Sequence, residues 1–308
     1  MKIAVVGAGA MGSVYAGLLG DAGNEVWAVD IWKEHIEAIH DQGLRVEGKS
    51  GDRTVRIKAT IHPEDVGTCD LIVIATKAMH VESAARSIKS LIGVETSVLT
   101  IQNGLGSFEK VAAALGEERV TIGVAGGFGA SIKGPAHVHH NGMELIRLGE
   151  LNGPVTPRLL LIESVWSDAG FNVKAYDDIK RMVWEKLICN VCFSGICTVS
   201  ESQIGQVLED SELWKIAKGC AEEAYKVALA KGIRLSFNEP VPYVLAFGQK
   251  MPRARPSMLL DHIEGRGSEI EAINGAIVRE GTANGVSTPF NSVITSLVLA
   301  KESKLGLR

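Results

Sequence analysis

Lys186, Asn190 and Ser194 recur at intervals of four along Trp184-Glu185-Lys186-Leu187-Ile188-Cys189-Asn190-Val191-Cys192-Phe193-Ser194, which places them on one face of a helix. Nearly all their neighbours are apolar. An ammonium and an amide in such surroundings cost free energy until they meet partners, so the stripe reads as a wall that could hold a polar substrate. The chemistry it suits is proton donation, because a protonated lysine stabilises and then neutralises negative charge arriving on an oxygen. The same spacing also fits a solvated surface stripe with Lys186 paired to an acid, and spacing alone does not choose. A second polar set, Pro256 to Glu271, carries too many charges for spacing to single one out.

The amino end offers a different chemistry. Gly7-Ala8-Gly9-Ala10-Met11-Gly12 follows the apolar run Ile3–Val6 and opens an Ala- and Leu-rich helical pattern. Glycines at these positions permit a tight turn, let the backbone approach a pyrophosphate, and bring helix against strand. The helix N-terminus then turns free N–H groups and the positive end of its dipole toward the phosphates. Asp30 stands 18 residues after Gly12, at the end of the second strand, where an acid accepts hydrogen bonds from the adenine ribose. A carboxylate there repels a 2′-phosphate, so NAD is favoured. NADP is the alternative, since Lys33 is close by; a turn or helix cap is the other reading of Asp30. Lys77 directly follows the third main strand (IVIATK) and Asn103 the fourth (TIQNG). Both fall at the carboxyl ends of parallel strands, where ligands bind in open α/β sheets, although a solvated lysine and an Asn-Gly turn also fit.

These residues need a scaffold, and the patterning describes one. Short β-branched runs at 2–6, 25–30, 71–75, 97–101 and 120–124 alternate with helical patterns at 11–22, 33–42, 81–91 and 107–115. That rhythm predicts an α/β fold, with an N-terminal Rossmann-type, doubly wound parallel sheet covered on both faces. Residues 44–60 read as an inserted hairpin and 136–148 as a second antiparallel addition. Past Tyr176 helical patterns take over at 181–199, 212–231, 261–280 and 291–304, which predicts an all-helical C-terminal domain. The expected division is a dinucleotide-binding domain at 1–176 and a helical substrate and catalytic domain at 177–308, closely packed with a cleft between them.

Bulk properties exclude other classes. The 308 residues are 46% hydrophobic and 22% charged, which is globular, and the net charge of −4 lacks the basic face that nucleic acid binding needs. No secretory leader and no apolar stretch of about 20 residues is read, so no membrane partner and a cytoplasmic location are expected. Five cysteines, four of them in one apolar region, fit reduced buried thiols.

Taken together, the motifs resemble the ketopantoate reductase (2-dehydropantoate 2-reductase) family. The shared pattern is Gly7-x-Gly9-x-x-Gly12, Thr76-Lys77, Gln102-Asn103-Gly104, Trp184-Glu185-Lys186-Leu187-x-x-Asn190, Ser257-Met258-Leu259, Glu269-Ile270 and Ile273-Asn274-Gly275. The resemblance implies hydride transfer from NAD(P)H to the 2-carbon of a small 2-oxo acid, giving the (R)-2-hydroxy acid. It implies Lys186 as general acid, with Glu269 holding substrate and lysine in register. It further implies that Asn190, Ser194 and Ser257 bind substrate, and that Asn103, Lys77 and Glu269 line the cofactor side, Asn103 also meeting substrate. A homodimer is compatible with it. Three positions depart from the family pattern: Asp30 where a basic residue is usual, Ser194 for a second asparagine, and Ala254 for a substrate-contacting asparagine. All three make the chain similar to NAD-dependent D-2-hydroxyacid (mandelate-type) dehydrogenases of the same family.

Lesser signals have plainer readings. Cys189-x-x-Cys192 with Cys197 lacks a second pair, and His137, His139 and His140 lack a carboxylate at ligand spacing, so no metal site is expected and the histidines read as a solvated strand edge. Trp184 and Trp214 read as core. The rival readings are a non-catalytic dinucleotide-binding regulator, which would need none of Lys186, Asn190 and Glu269, and a 3-hydroxyacid or 6-phosphogluconate-type dehydrogenase.

Overall fold

The first half alternates strand and helix. The computed structural model describes residues 1–127, 129–142 and 144–308. Its elements are β1 (Lys2–Val6), α1 (Ala10–Asp21), β2 (Glu25–Val29), α2 (Lys33–Gln42), β3 (Leu44–Gly48), β4 (Arg53–Val55), β5 (Lys58–Thr60), β6 (Leu71–Ile74), α3 (Val81–Ser87), β7 (Ser97–Thr100), α4 (Ser107–Leu115), β8 (Val120–Ala125), β9 (Gly129–Gly134), β10 (His137–Gly142), β11 (Ile146–Glu150), α5 (Pro157–Asp168) and β12 (Val173–Ala175). Helices follow: α6 (Ile179–Ser200), α7 (Ile204–Glu209), α8 (Ser211–Ala230), α9 (Pro240–Lys250), α10 (Ser257–Ile263), α11 (Asn274–Ala283) and α12 (Pro289–Leu305). The chain divides into two units. One comprises residues 1–102 and 107–179; the other comprises 103–106 and 180–308.

In the first unit the main sheet runs β12-β11-β8-β7-β6-β1-β2-β5, with only β8 and β11 paired antiparallel. Ile3 to Val6 and Leu71 to Ile74 are buried throughout, as strands covered on both faces must be. The chain winds outward from β1 to β2 and then returns to β6 on the other side of β1. Strand order thus reverses between β1 and β6, the kind of place where open sheets bind ligands.

Two sequence expectations change here. The segment 44–60 is a hairpin only in its first part: β3 and β4 pair antiparallel, whereas β5 joins the main sheet parallel to β2. The second addition is likewise divided, because β10 pairs with β9 and β3 in a separate sheet ordered β4-β3-β10-β9 while β11 extends the main one. Since β10 is an inner strand, its histidines are not a solvated edge. His137 Nε2 and His139 Nδ1 flank Glu47 at 3.1 and 3.3 Å, and His140 turns inward to Ser50 Oγ at 3.0 Å. Helix α1 is buried from Gly12 to Leu19 and packs against the small sheet as well; a Cβ on Gly17 would lie 2.5 Å from Val46 Cγ2.

The second unit is helical around α6. By length and composition α6 could cross a membrane, contrary to the reading of the sequence, but 67% of its most apolar window is buried in protein, which makes it a core helix. Trp184, Leu187, Ile188, Val191 and Phe193 join Ala217, Ala221 and Val227 of α8 and Ile294 and Val298 of α12. Trp214 packs against this core. All five cysteines are free and buried, and burial pushes the Cys189 and Cys197 thiols up to about 12. The expected helix 261–280 does not exist as one element. It is α10, then a turn at 264–273, then α11, because Gly265 takes a φ of +70° and Arg266 folds back on Asp261.

Candidate active site

In the first unit, each motif glycine has its own reason. Gly7 ends β1 at φ +94°, and a Cβ there would lie 2.6 Å from Thr76 N at the end of β6. On Gly12 a Cβ would lie 1.9 Å from Gly7 O, so α1 can close over the turn only without one. Gly9 differs: its φ is −68°, and a Cβ would meet nothing within 4 Å. The protein's own packing does not require glycine at 9, but close approach of a pyrophosphate does. No side chain caps α1, and Thr76 Oγ1 is buried with no hydrogen-bond partner among the described residues. The loop therefore fits a dinucleotide, with Ala10 and Met11 opening the helix that would face its phosphates.

The loop is held from behind by a group the sequence did not flag. Ser13 Oγ donates to Ala8 O at 2.8 Å and lies 3.1 Å from His35 Nε2, while His35 Nδ1 accepts the Ala136 N–H at 3.1 Å. Because Nδ1 accepts, the ring proton sits on Nε2 and is donated to Ser13. Burial holds the His35 pKa below its usual range, although Asp30 pulls it the other way. Asp30 Oδ1 accepts Trp32 N–H at 3.0 Å, so the turn-cap reading holds and the cap orients the carboxylate at the end of β2. Lys33 stands 3.7 Å from Glu37 in an exposed pair. Lys77 is half-buried just after β6.

In the second unit, three polar side chains meet. Lys186 Nζ donates to Asn103 Oδ1 at 2.8 Å, and Asn103 Nδ2 donates to Glu269 Oε2 at 3.0 Å. An ammonium only donates and a carboxylate only accepts, so the amide orientation is forced by chemistry. Glu269 is 6% exposed and Lys186 half-buried. Gly104 brings Asn103 here: at φ +82° its missing Cβ would lie 2.1 Å from Ala272 O, which accepts Leu105 N–H at 2.9 Å. The Asn-Gly turn reading thus holds, and the turn places the amide beside Lys186 and Glu269. Preceding it, Gln102 Nε2 donates to Ile74 O at 2.6 Å and Thr76 O at 3.1 Å, tying the ends of β6 and β7 together. Sequence reasoning assigned Gln102 no role.

The remaining expected residues are spread. Asn190 lies one turn beyond Lys186 on α6 and is half-buried. Ser194, a further turn along, is 4% exposed, and its carbonyl accepts Thr198 Oγ1. Ser257 is exposed at the first position of α10. Asn274, part of the motif pattern, is structural: fully buried, it donates to Val191 O and to Asn291 Oδ1, each at 3.0 Å. Among the described residues no three His, Cys, Asp or Glu side chains come together as metal ligands.

Two sequence profiles cover this arrangement. That described as Ketopantoate reductase PanE/ApbA matches residues 3–153, and that described as Ketopantoate reductase PanE/ApbA C terminal matches 178–302. The chain belongs to the ketopantoate reductase family. It is therefore an oxidoreductase of a dinucleotide-dependent family. Curated ketopantoate reductases match end to end: the 2-dehydropantoate 2-reductase of Archaeoglobus fulgidus is 31% identical with 99% of each chain covered, and that of Streptococcus pyogenes serotype M1 is 29% identical with full coverage of both. Among solved structures, a PanE/ApbA family ketopantoate reductase from Ralstonia eutropha aligns with a TM-score of 0.91 at 30% identity, covering 99% of this chain and 100% of that one. D-mandelate dehydrogenase with NADH and anilino(oxo)acetate aligns with a TM-score of 0.92 at 32% identity over all of both chains.

Proposed function

We propose that this member of the family reduces a 2-oxo acid, 2-dehydropantoate or a related branched or bulky one, to the (R)-2-hydroxy acid, with NADH preferred. The observation that carries the reading is the Lys186–Asn103–Glu269 contact, in which a lysine is held by an amide whose other end is held by a buried acid. A bound nicotinamide would supply the hydride. Lys186 Nζ would hold a proton at the carbonyl oxygen of the substrate and release it as negative charge accumulates there. Asn103 fixes the ammonium, and Glu269 keeps the amide turned so that its oxygen faces Lys186. Asn190, Ser194 and Ser257 would hold the polar groups of the substrate, and Lys77 the cofactor. The location is taken as cytoplasmic.

A second reading, an NAD-dependent D-2-hydroxyacid dehydrogenase, is favoured by one feature: the Asp30 carboxylate, oriented at the end of β2 by its bond to Trp32. In support, the D-mandelate dehydrogenase neighbour was solved with NADH. Initial rates with NADH and NADPH against ketopantoate, 2-ketoisovalerate and benzoylformate separate the two. We expect NADH to be preferred at least about tenfold in kcat/KM, ~1.4 kcal/mol; equal or faster rates with NADPH overturn the assignment of Asp30. Lys186→Ala should lose about 10²–10⁴ in kcat with NADH binding near wild type. Retention of more than half of kcat/KM would remove Lys186 from the reaction.

A further inference from the structure

Glu302 lies in the last turn of α12, 2% exposed, where both burial and the helix dipole oppose a negative charge. One of its oxygens nevertheless collects three contacts. Oε1 accepts Ser268 N–H at 2.8 Å and Ser268 Oγ–H at 2.6 Å, and lies 3.1 Å from His262 Nε2. The second oxygen lies 3.9 Å from Arg308 Nε, and Arg308 also binds Glu271 Oε2 at 2.7 Å.

What Glu302 grips is the residue before Glu269. That stretch lies in the 264–273 turn, outside any helix, so no regular ladder sets its backbone; Glu269 O itself accepts from Ala272 N and Ile273 N, each at 3.0 Å. Holding both the N–H and the hydroxyl of Ser268 fixes the approach of the chain to Glu269. The line then continues through Glu269 and Asn103 to Lys186. We propose that Glu302, oriented by His262, is a positioning residue for the reduction of the 2-oxo acid: through Ser268 it sets where Glu269 holds Asn103 and hence Lys186. This rests on the function proposed above.

The test compares Glu302→Gln, Ser268→Ala, Glu269→Gln and the double variant Glu302→Gln/Glu269→Gln in the full-length protein. Glu302→Gln should lower kcat tenfold or more while the NADH Kd stays within twofold. In the double variant, kcat should be within about twofold of Glu269→Gln alone, because the two act through one residue. A merely structural role would instead multiply the two losses. Ser268→Ala, which removes one bond and no charge, should lose severalfold in kcat and serves if Glu302→Gln does not fold. A readout independent of turnover is the side-chain amide signal of Asn103 in ¹⁵N spectra of the free protein, assigned with Asn103→Ala. It should move in both Glu302→Gln and Ser268→Ala. A fixed signal, a kcat within twofold of wild type or multiplied losses each overturn the proposal. If the signal moves but wild type reduces no 2-oxo acid, the functional reading fails and the positioning stands.

Discussion

Asn103 shows how one residue can be legible in type and opaque in role. Its place after β7 and before Gly104 was readable, but its partners lie 83 and 166 positions away, and no local pattern announces them. Asn103→Ala would take this acceptor from Lys186 and this donor from the buried Glu269. A hydrogen bond to a charged group contributes about 1.5–3 kcal/mol, so a loss of roughly 10- to 150-fold in kcat/KM is expected; a loss under threefold would mean the amide is a bystander. The glycines separate in the same way. Gly9→Ala should leave the thermal midpoint unchanged or slightly higher, since a Cβ there meets nothing, yet weaken dinucleotide binding at least about tenfold. Gly12→Ala should destabilise the free protein by about 1–3 kcal/mol or more, because its Cβ would collide with the Gly7 carbonyl. Equal effects of the two on unfolding would contradict the idea that Gly9 makes room for a ligand.

At the scale of elements, α2, α1 and the β9–β10 turn meet at His35, so that a buried imidazole braces the glycine loop. The ring works only when neutral, since protonated Nδ1 cannot accept the Ala136 N–H. Burial keeps its pKa below that of the unfolded chain, as it does for His140, so the unfolded state binds more protons in acid. Stability is then full above pH ~6.5 and falls as pH drops through that value toward the lower folded-state pKa. The thermal midpoint measured from pH 8 to pH 5 should show this decline. His35→Gln, which can accept from Ala136 and donate to Ser13, should flatten it in part, leaving the share due to His140; an unaltered slope would take His35 out of the account. Elements built on local periodicity, such as β1, α1, α6 and α8, were readable because burial of one face or of both repeats along the chain. The break between α10 and α11 was not, because the apolar and polar residues of 261–280 fit a helix and only the backbone turn at Gly265, with the clamp of Arg266 on Asp261, shows otherwise.

For the whole molecule, any ligand that binds the folded chain alone must raise its stability, by about 2.7 kcal/mol at a hundred times its Kd. NADH should therefore shift the thermal midpoint by several degrees more than NADPH at the same concentration, a test of Asp30 that needs no substrate. A larger shift with NADPH would reverse the assignment. The two units differ in how far they could be read. The α/β alternation, the glycine motif, the carboxylate after β2 and the lysine stripe on α6 are local, each set within about 20 residues by periodicity and turn chemistry, and the sequence by itself determined them. Tertiary structure alone decided that residues 103–106 belong with the helical unit, that His35 braces Ala8 through Ser13, and that Glu302 grips the residue before Glu269. The physical reason is that a buried polar group must find a partner wherever the fold supplies one. That partner is chosen by proximity in space, which spacing along the chain does not encode.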